Sequence, residues 1–91
     1  MTINDRIGSV AAWIMAEVAT GRLVYQERVA RHVRQNVGED LTYRNGNGNW
    51  ALDKRINEAF KKFSGDRVVW ERGSQCWRLR RPNDKPGRMQ S

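Results

Sequence analysis

The chain has 91 residues, of which 38% are hydrophobic and 30% charged, with a net charge of +7. A chain of this length forms one small domain with a modest core. It has no apolar run near the roughly 20 residues of a membrane span, and its N-terminus lacks the pattern of a secretory signal. Its single cysteine, Cys76, has no partner for an internal disulfide. The sequence therefore indicates a soluble protein of the reducing cytoplasm, with no membrane partner.

The excess positive charge is concentrated towards the C-terminus. Residues 65–91 carry seven Lys and Arg against three Asp and Glu, which is more than half of the net charge. A small and strongly basic chain favours a polyanionic partner. A basic composition also keeps a small protein soluble, so charge alone leaves the partner open.

The N-terminal segment predicts a helix followed by a short strand. Asn4 or Asp5 provides the N-terminal cap of the helix, and Gly21 provides its stop. Residues 23–25 are too few for a helix and rich in strand formers. The apolar positions of the helix follow helical spacing and are Ile7, Val10, Ala11, Ile14 and Val18.

A second helix is predicted from Gln26 to about Val37, with Gly38 closing it. The connection that follows is extended and ends in the turn sequence of residues 45–49, in which Asn and Gly alternate. The apolar side of this helix consists of Val29, Ala30, Val33 and Val37.

A third helix is predicted from Trp50 to about Phe63, with Asn49 as its cap and Gly65 as its end. Its exposed side is rich in lysine. Its apolar stripe consists of Leu52, Ile56, Ala59, Phe60 and Phe63.

A β-hairpin is predicted after the third helix. The Gly73-Ser74 pair fits a two-residue type II′ turn between two alternating runs. This register places four apolar side chains on one face, namely Val68, Trp70, Trp77 and Leu79. The opposite face, expected to lie in solvent, carries Arg67, Val69, Glu71, Arg78 and Arg80. Residues 82–91 have no periodicity and two prolines, which predicts a flexible basic tail.

This order of elements resembles a winged helix-turn-helix domain over residues 1–81. The fold class is thus α+β, a small winged-helix-like domain of three helices with a C-terminal β-hairpin. Residues 45–88 also resemble a family of small uncharacterised bacterial and phage proteins. The motifs that carry this second resemblance are the Asn45-Gly46-Asn47 turn, Trp70-Glu71-Arg72-Gly73, Trp77-Arg78 and Pro86-Gly87-Arg88.

The winged-helix resemblance implies that the third helix enters the major groove of DNA and that Gly73-Ser74 is the tip of the wing. Two features depart from that pattern. The connection over residues 38–49 is longer than a tight helix-turn-helix turn. Asp53 and Glu58 also add negative charge among the lysines of the third helix, although Glu can accept a hydrogen bond from cytosine.

The candidate nucleic-acid contacts are cations of the third helix and of the hairpin. They would neutralise phosphates and release counterions. The same residues also fit a solvated helix surface and a protected sheet edge. The set comprises Lys54, Arg55, Lys61, Lys62, Arg67, Arg72, Arg78, Arg80 and Arg81.

Two tryptophans are candidates for stacking on a base or contacting a protein partner. Trp50 lies beside the Asn-Gly turn, and Trp13 lies off the centre of the first apolar stripe. By contrast, Trp70 and Trp77 form a cross-strand pair that is expected to anchor the hairpin to the core.

No catalytic or metal-binding pattern is evident in the sequence. His32 is the only histidine, and a zinc site needs about four ligands. Cys76 occupies a mid-strand position beside Trp77. We therefore expect a protein that is not an enzyme and has no cofactor.

These features support two functional hypotheses. The first is a non-enzymatic nucleic-acid-binding protein whose partner is duplex DNA in preference to RNA. The second is a phage or mobile-element interaction module that binds and modulates a host protein. A homodimer that packs through the first helix is a further alternative, which would present two symmetric wings.

Overall fold

The computed structural model describes residues 2–90 and has the predicted α+β fold, with three helices and a C-terminal β-hairpin. The helices are α1 (Ile3–Ala19), α2 (Gln26–Asn36) and α3 (Lys54–Ser64). The strands are β1 (Val24–Tyr25), β2 (Thr42–Arg44), β3 (Trp50–Leu52), β4 (Val68–Glu71), β5 (Cys76–Leu79) and β6 (Met89–Gln90). No helix within residues 2–90 is long and apolar enough to cross a membrane.

Helix α1 begins one turn earlier than its apolar stripe. Thr2 is the N-cap, in place of the predicted Asn4 or Asp5, because its hydroxyl accepts from the Asp5 amide while the Asp5 carboxylate accepts from the Thr2 amide. Gly21 has a φ of +88° and follows the last turn, as expected. All five predicted apolar residues of α1 are buried.

The core lies between the helices and one face of the C-terminal sheet. Helix α1 packs against α3, and Phe60 of α3 is fully buried. Its ring meets that of Trp77 edge to face, with centroids 5.6 Å apart. An aromatic pair of this geometry joins the hairpin to the helices, as predicted for Trp77.

The long connection between α2 and α3 contains a second β-hairpin. Strands β2 and β3 pair antiparallel, with Tyr43 opposite Ala51. The Asn45 side chain closes the turn, because its Oδ1 accepts from the amides of Asn47 and Asn49. The turn was predicted, but the hairpin was not.

The predicted start of the third helix at Trp50 was therefore wrong. Trp50 belongs to β3, and α3 begins at Lys54 with Asp53 as its cap. Leu52 lies about one helical turn before Ile56 along the sequence. The apolar pattern of α3 therefore continues into β3 and makes this strand resemble the start of the helix. At the other end of α3, Phe63 is 53% exposed and Ser64 is buried in its place.

The C-terminal sheet has the strand order β1-β5-β4-β6. Trp70 pairs with Trp77 as predicted, but the turn has four residues, 72–75, and not two. The left-handed conformation falls on Gln75, with a φ of +52°, and not on Gly73. The predicted register was right and the predicted turn type was wrong.

Residues 82–90 of the predicted tail are folded, contrary to the sequence-based expectation, and residue 91 lies outside the described residues. Strand β6 pairs parallel with β4, and the amide of Arg72 donates to the carbonyl of Gln90. Val69 is fully buried, although it lies on the face that was predicted to be in solvent. Asp84 contacts Arg78, which lies opposite Val69 in the strand pair, so the segment before β6 reaches the face of the sheet that was predicted to be in solvent.

Candidate nucleic-acid interface

The side of α3 that faces away from the core is basic. Lys54, Lys61 and Lys62 are exposed, and their ammonium groups make no hydrogen bond within residues 2–90. The buried positions Ile56 and Phe60 fix this orientation, because residues three and four apart share a face of a helix. Three of the four predicted cations of this helix are therefore available to an anion.

Arg55, the fourth predicted cation of α3, is paired within the chain. Its Nε and Nη2 donate to the two carboxylate oxygens of Asp53 at 3.0 and 2.9 Å. These hydrogen bonds lower the pKa of Asp53 below its ordinary value. Asp53 is thus partly neutralised, and Glu58 is the carboxylate that remains exposed among the lysines.

Arg67 and Arg80 bind backbone carbonyls. Arg67 donates to the carbonyls of Phe63 and Ser64 at the end of α3. Arg80 donates to the carbonyls of Asp66, Lys85 and Gly87. These carbonyls occupy guanidinium donors and hold the two cations in place, without neutralising their charge, so their contact with phosphate stays a prediction.

Arg78 is buried, contrary to its predicted place on the solvent side. Its guanidinium contacts Glu71 and Asp84, each with a closest distance of 2.7 Å, and its side chain is 8% exposed. Hydrogen bonds from Arg78 hold the pKa of Asp84 well below its usual range, and the pKa of Arg78 is raised in turn. Arg78 joins the tail to the hairpin and does not present its charge to a partner.

Arg72 and Arg81 are exposed, as Arg67 is, but they differ from it in having free guanidinium groups in the described part of the chain. Their guanidinium groups make no hydrogen bond within residues 2–90, although the Arg81 amide donates to Asp84. Arg72 lies in the turn between β4 and β5, at the end of the hairpin that was predicted to be the tip of a wing.

Neither of the two candidate tryptophans presents a fully exposed ring to solvent. Trp13 is half-buried and stacks on His32, with ring centroids 3.8 Å apart. Burial lowers the pKa of His32. Trp50 is also half-buried and lies near two guanidinium groups, those of Arg34 at 4.2 Å and Arg44 at 4.8 Å from its ring centroid.

Sequence reasoning missed Arg34 and Arg44. Neither guanidinium has a carboxylate partner within residues 2–90. Arg44 pairs directly with Trp50 across β2 and β3, so predicting β3 as a strand would have brought them together. Two cations against one indole form a positively charged surface where α2 meets the inserted hairpin.

Other reactive groups show no catalytic arrangement in the part of the chain that is described. Cys76 is buried, and burial raises the pKa of its thiol, which disfavours the nucleophilic thiolate. Residues 2–90 contain no cluster of three His, Cys, Asp or Glu side chains that could hold a metal ion.

The chain is similar to a protein family whose members have no assigned function. Residues 7–79 match the family of unknown function DUF6953, and the chain belongs to this family. No curated protein and no solved structure showed significant similarity to the chain.

Proposed function

We propose that this DUF6953 protein is a non-enzymatic nucleic-acid-binding protein of the winged-helix type, acting in the cytoplasm with duplex DNA as its partner. The outward face of α3 supplies the central contacts through Lys54, Lys61 and Lys62. The hairpin turn adds Arg72. The single observation that carries this proposal is the row of exposed and unpaired lysines on one face of α3.

The balance of ion pairs supports this assignment. Ion pairs engage four of the 17 Lys and Arg side chains, all of which lie within residues 2–90. Those four cations neutralise five of the ten carboxylates. Most of the positive charge therefore remains at the surface, where it attracts a polyanion.

The arrangement of elements also supports a winged-helix assignment. A third helix precedes a hairpin, and β1 pairs with the return strand β5 of that hairpin. In a winged-helix domain, the helix enters the major groove while the wing contacts the adjacent backbone. The inserted hairpin β2–β3 would add Trp50 and Arg44 as a further contact, together with Arg34 of α2.

Attraction to phosphate would dominate over the reading of sequence. The three lysines are point charges suited to phosphate oxygens, whereas bidentate recognition of guanine is better served by arginine. Arg55 is held by Asp53, which removes the one arginine of this face from base contacts. The expected binding is therefore tight at low salt and weakly selective among sequences.

A paired set of variants tests this interface. Lys61→Gln with Lys62→Gln removes two charges from the face of α3, and Arg22→Gln with Lys85→Gln removes two exposed charges elsewhere. The first pair lowers the affinity for a labelled duplex by roughly tenfold for each lysine that contacts a phosphate at about 50 mM salt. The control pair has a much smaller effect. Equal losses in the two pairs, measured by fluorescence anisotropy, would reject α3 as the interface.

The alternative function is binding to a host protein through the same fold. Large apolar side chains are exposed on several elements, including Tyr43 at 54%, Phe63 at 53% and Met89 at 56%. Exposed aromatic and methionine side chains are enriched at the centres of protein interfaces. A partner that is captured from lysate equally well with and without nuclease, by a protein that does not bind duplex DNA, would favour this alternative.

A further inference from the structure

A groove of about 400 Å³ lies between α3 and the C-terminal sheet. Its volume is within the range of small-molecule sites, which combine apolar walls with a few polar groups. Helix α3 contributes Glu58 and Lys61 to the lining, and it also contributes Asn57, whose Oδ1 is buried and therefore not offered to a ligand. The sheet and the residue before β6 contribute Trp70, Trp77, Arg88 and Met89.

One wall of this groove consists of apolar side chains. Trp70 is half-buried, and its ring centroid lies 4.8 Å from that of Trp77 at a tilt of 57°. Met89 lies opposite Trp70 in the pairing of β4 with β6 and is 56% exposed. These side chains leave apolar surface in contact with water. A flat apolar molecule in the groove would cover that surface and would contact an indole ring.

A guanidinium group without an acidic partner also lines the groove. Arg88 Nη1 donates to Ser64 Oγ at 3.0 Å, and Arg88 Cζ lies 5.3 Å from the centroid of the Phe60 ring. The Nε and Nη2 of Arg88 make no hydrogen bond within residues 2–90 and are not fully buried. No carboxylate within residues 2–90 pairs with Arg88, and partial burial lowers its pKa. A carboxylate in the groove would accept from these donors and neutralise the half-buried charge.

The charges around the groove favour a ligand with one negative charge. Lys61 is exposed, and its ammonium group makes no hydrogen bond within residues 2–90. Lys61 and Arg88 place two positive charges in the lining, against the one negative charge of Glu58. A monocarboxylate balances the difference. A phosphate monoester carries up to two negative charges near neutral pH, so its second charge would be repelled by Glu58.

We propose that this groove binds a small aromatic molecule that carries a single carboxylate. The aromatic body lies against Trp70 and Met89, and the carboxylate accepts hydrogen bonds from Arg88 and Lys61. A neutral aromatic molecule would leave the guanidinium unpaired, and a small aliphatic acid would leave the apolar wall in water. Binding of this ligand does not depend on the proposed binding of duplex DNA, because Lys61 is the only residue that the two sites share.

The test is an NMR titration of the full chain, labelled with nitrogen-15, with cinnamate. Cinnamamide is the neutral probe of nearly the same shape, and acetate is the acid without an aromatic body. The four tryptophans give four indole N–H signals, and Trp70→Phe identifies the signal of Trp70. We expect a saturable shift of that signal with cinnamate and none with acetate. Cinnamamide should bind about tenfold more weakly, because it lacks the charge-assisted hydrogen bonds to Arg88.

Two pairs of variants locate the carboxylate. Arg88→Gln removes the half-buried cation, and Arg81→Gln removes an exposed cation that does not line the groove. The first should weaken cinnamate about tenfold and abolish its advantage over cinnamamide, whereas the second should match the wild type. Lys61→Gln and Lys62→Gln lie on the exposed side of α3 and test the site even if Arg88→Gln unfolds. Lys61 lines the groove and Lys62 does not, so Lys61→Gln alone should weaken cinnamate, by about twofold to fivefold.

Any of four results would overturn the proposal. The first is the absence of a saturable shift of the Trp70 signal at millimolar cinnamate. The second is equal affinity for cinnamate and cinnamamide, which would show that the cations do not select the ligand. The third is equal binding by Lys61→Gln and Lys62→Gln. The fourth is tighter binding of adenosine monophosphate, or of a short peptide rich in aromatic and acidic residues, at the same signal. Duplex affinity, measured separately by fluorescence anisotropy, is unaffected by each of these failures.

Discussion

Arg78 and Lys62 carry the same charge, yet their surroundings give them different roles. Arg78 lies buried between Glu71 and Asp84, whereas Lys62 is exposed with no hydrogen-bond partner within residues 2–90. The sequence predicted the exposure of Lys62, since its position opposite the core side of α3 follows from local spacing. It did not predict the burial of Arg78, because Asp84 reaches it from a segment that has no periodic pattern.

Asp84→Asn tests the structural role of Arg78 at the level of one residue. The depressed pKa of Asp84 means that its contribution to stability is present above its unfolded pKa of about 3.9 and is lost as the pH falls through its lower folded pKa. We expect the variant to unfold at a lower urea concentration at pH 7. Below about pH 4, the difference from the wild type should shrink progressively, because the unfolded wild-type chain then binds a proton at this carboxyl while the folded chain does not.

Asp66→Asn provides the matched control for that measurement. Asp66 is exposed, and its carboxylate makes no hydrogen bond within the described residues. Its urea midpoint at pH 7 should stay close to that of the wild type. Equal midpoints for Asp84→Asn and Asp66→Asn would contradict the assigned role of the Arg78 pair.

At the scale of elements, the structure that depends on local sequence patterns was predicted well. The pairing of segments that lie far apart in the sequence was predicted poorly. Helices α1 and α2 and the register of β4 with β5 follow from spacing within short segments. Strand β3 was mistaken for helix because its three residues continue the apolar stripe of α3. Strand β6 was missed because its two residues pair with β4 in parallel, almost 20 positions away along the chain, with no local signal.

Removal of the tail tests whether residues 82–90 are part of the domain. A variant that ends at Arg81 loses β6 and the Asp84 partner of Arg78. We expect it to unfold at a lower temperature, because the buried Arg78 loses one of its two carboxylate partners and β4 loses its pairing with β6. A variant that lacks only residue 91 is the control. Identical melting curves for the two truncations would show that the tail does not contribute to the fold.

At the scale of the whole molecule, most of the net positive charge remains without internal partners. The sequence predicted four cations of α3 as nucleic-acid contacts. Three of these four make no ion pair within residues 2–90. In the hairpin, the prediction was wrong for Arg78, which is buried and paired with two carboxylates, whereas Arg67 and Arg80 bind backbone carbonyls and keep their charge. The sequence did not predict the groove between α3 and the C-terminal sheet, because Asn57 and Arg88 come to line one groove only in the tertiary structure.

The most direct measurement of the central claim is the salt dependence of duplex binding by the wild-type protein. Four cations in contact with phosphates, three from α3 and Arg72, give a slope of about −3.6 in log affinity against log salt concentration. The affinity should therefore fall roughly a hundredfold between about 50 and 200 mM salt. No association at low salt, or an affinity that does not change with salt, would contradict nucleic-acid binding through these cations.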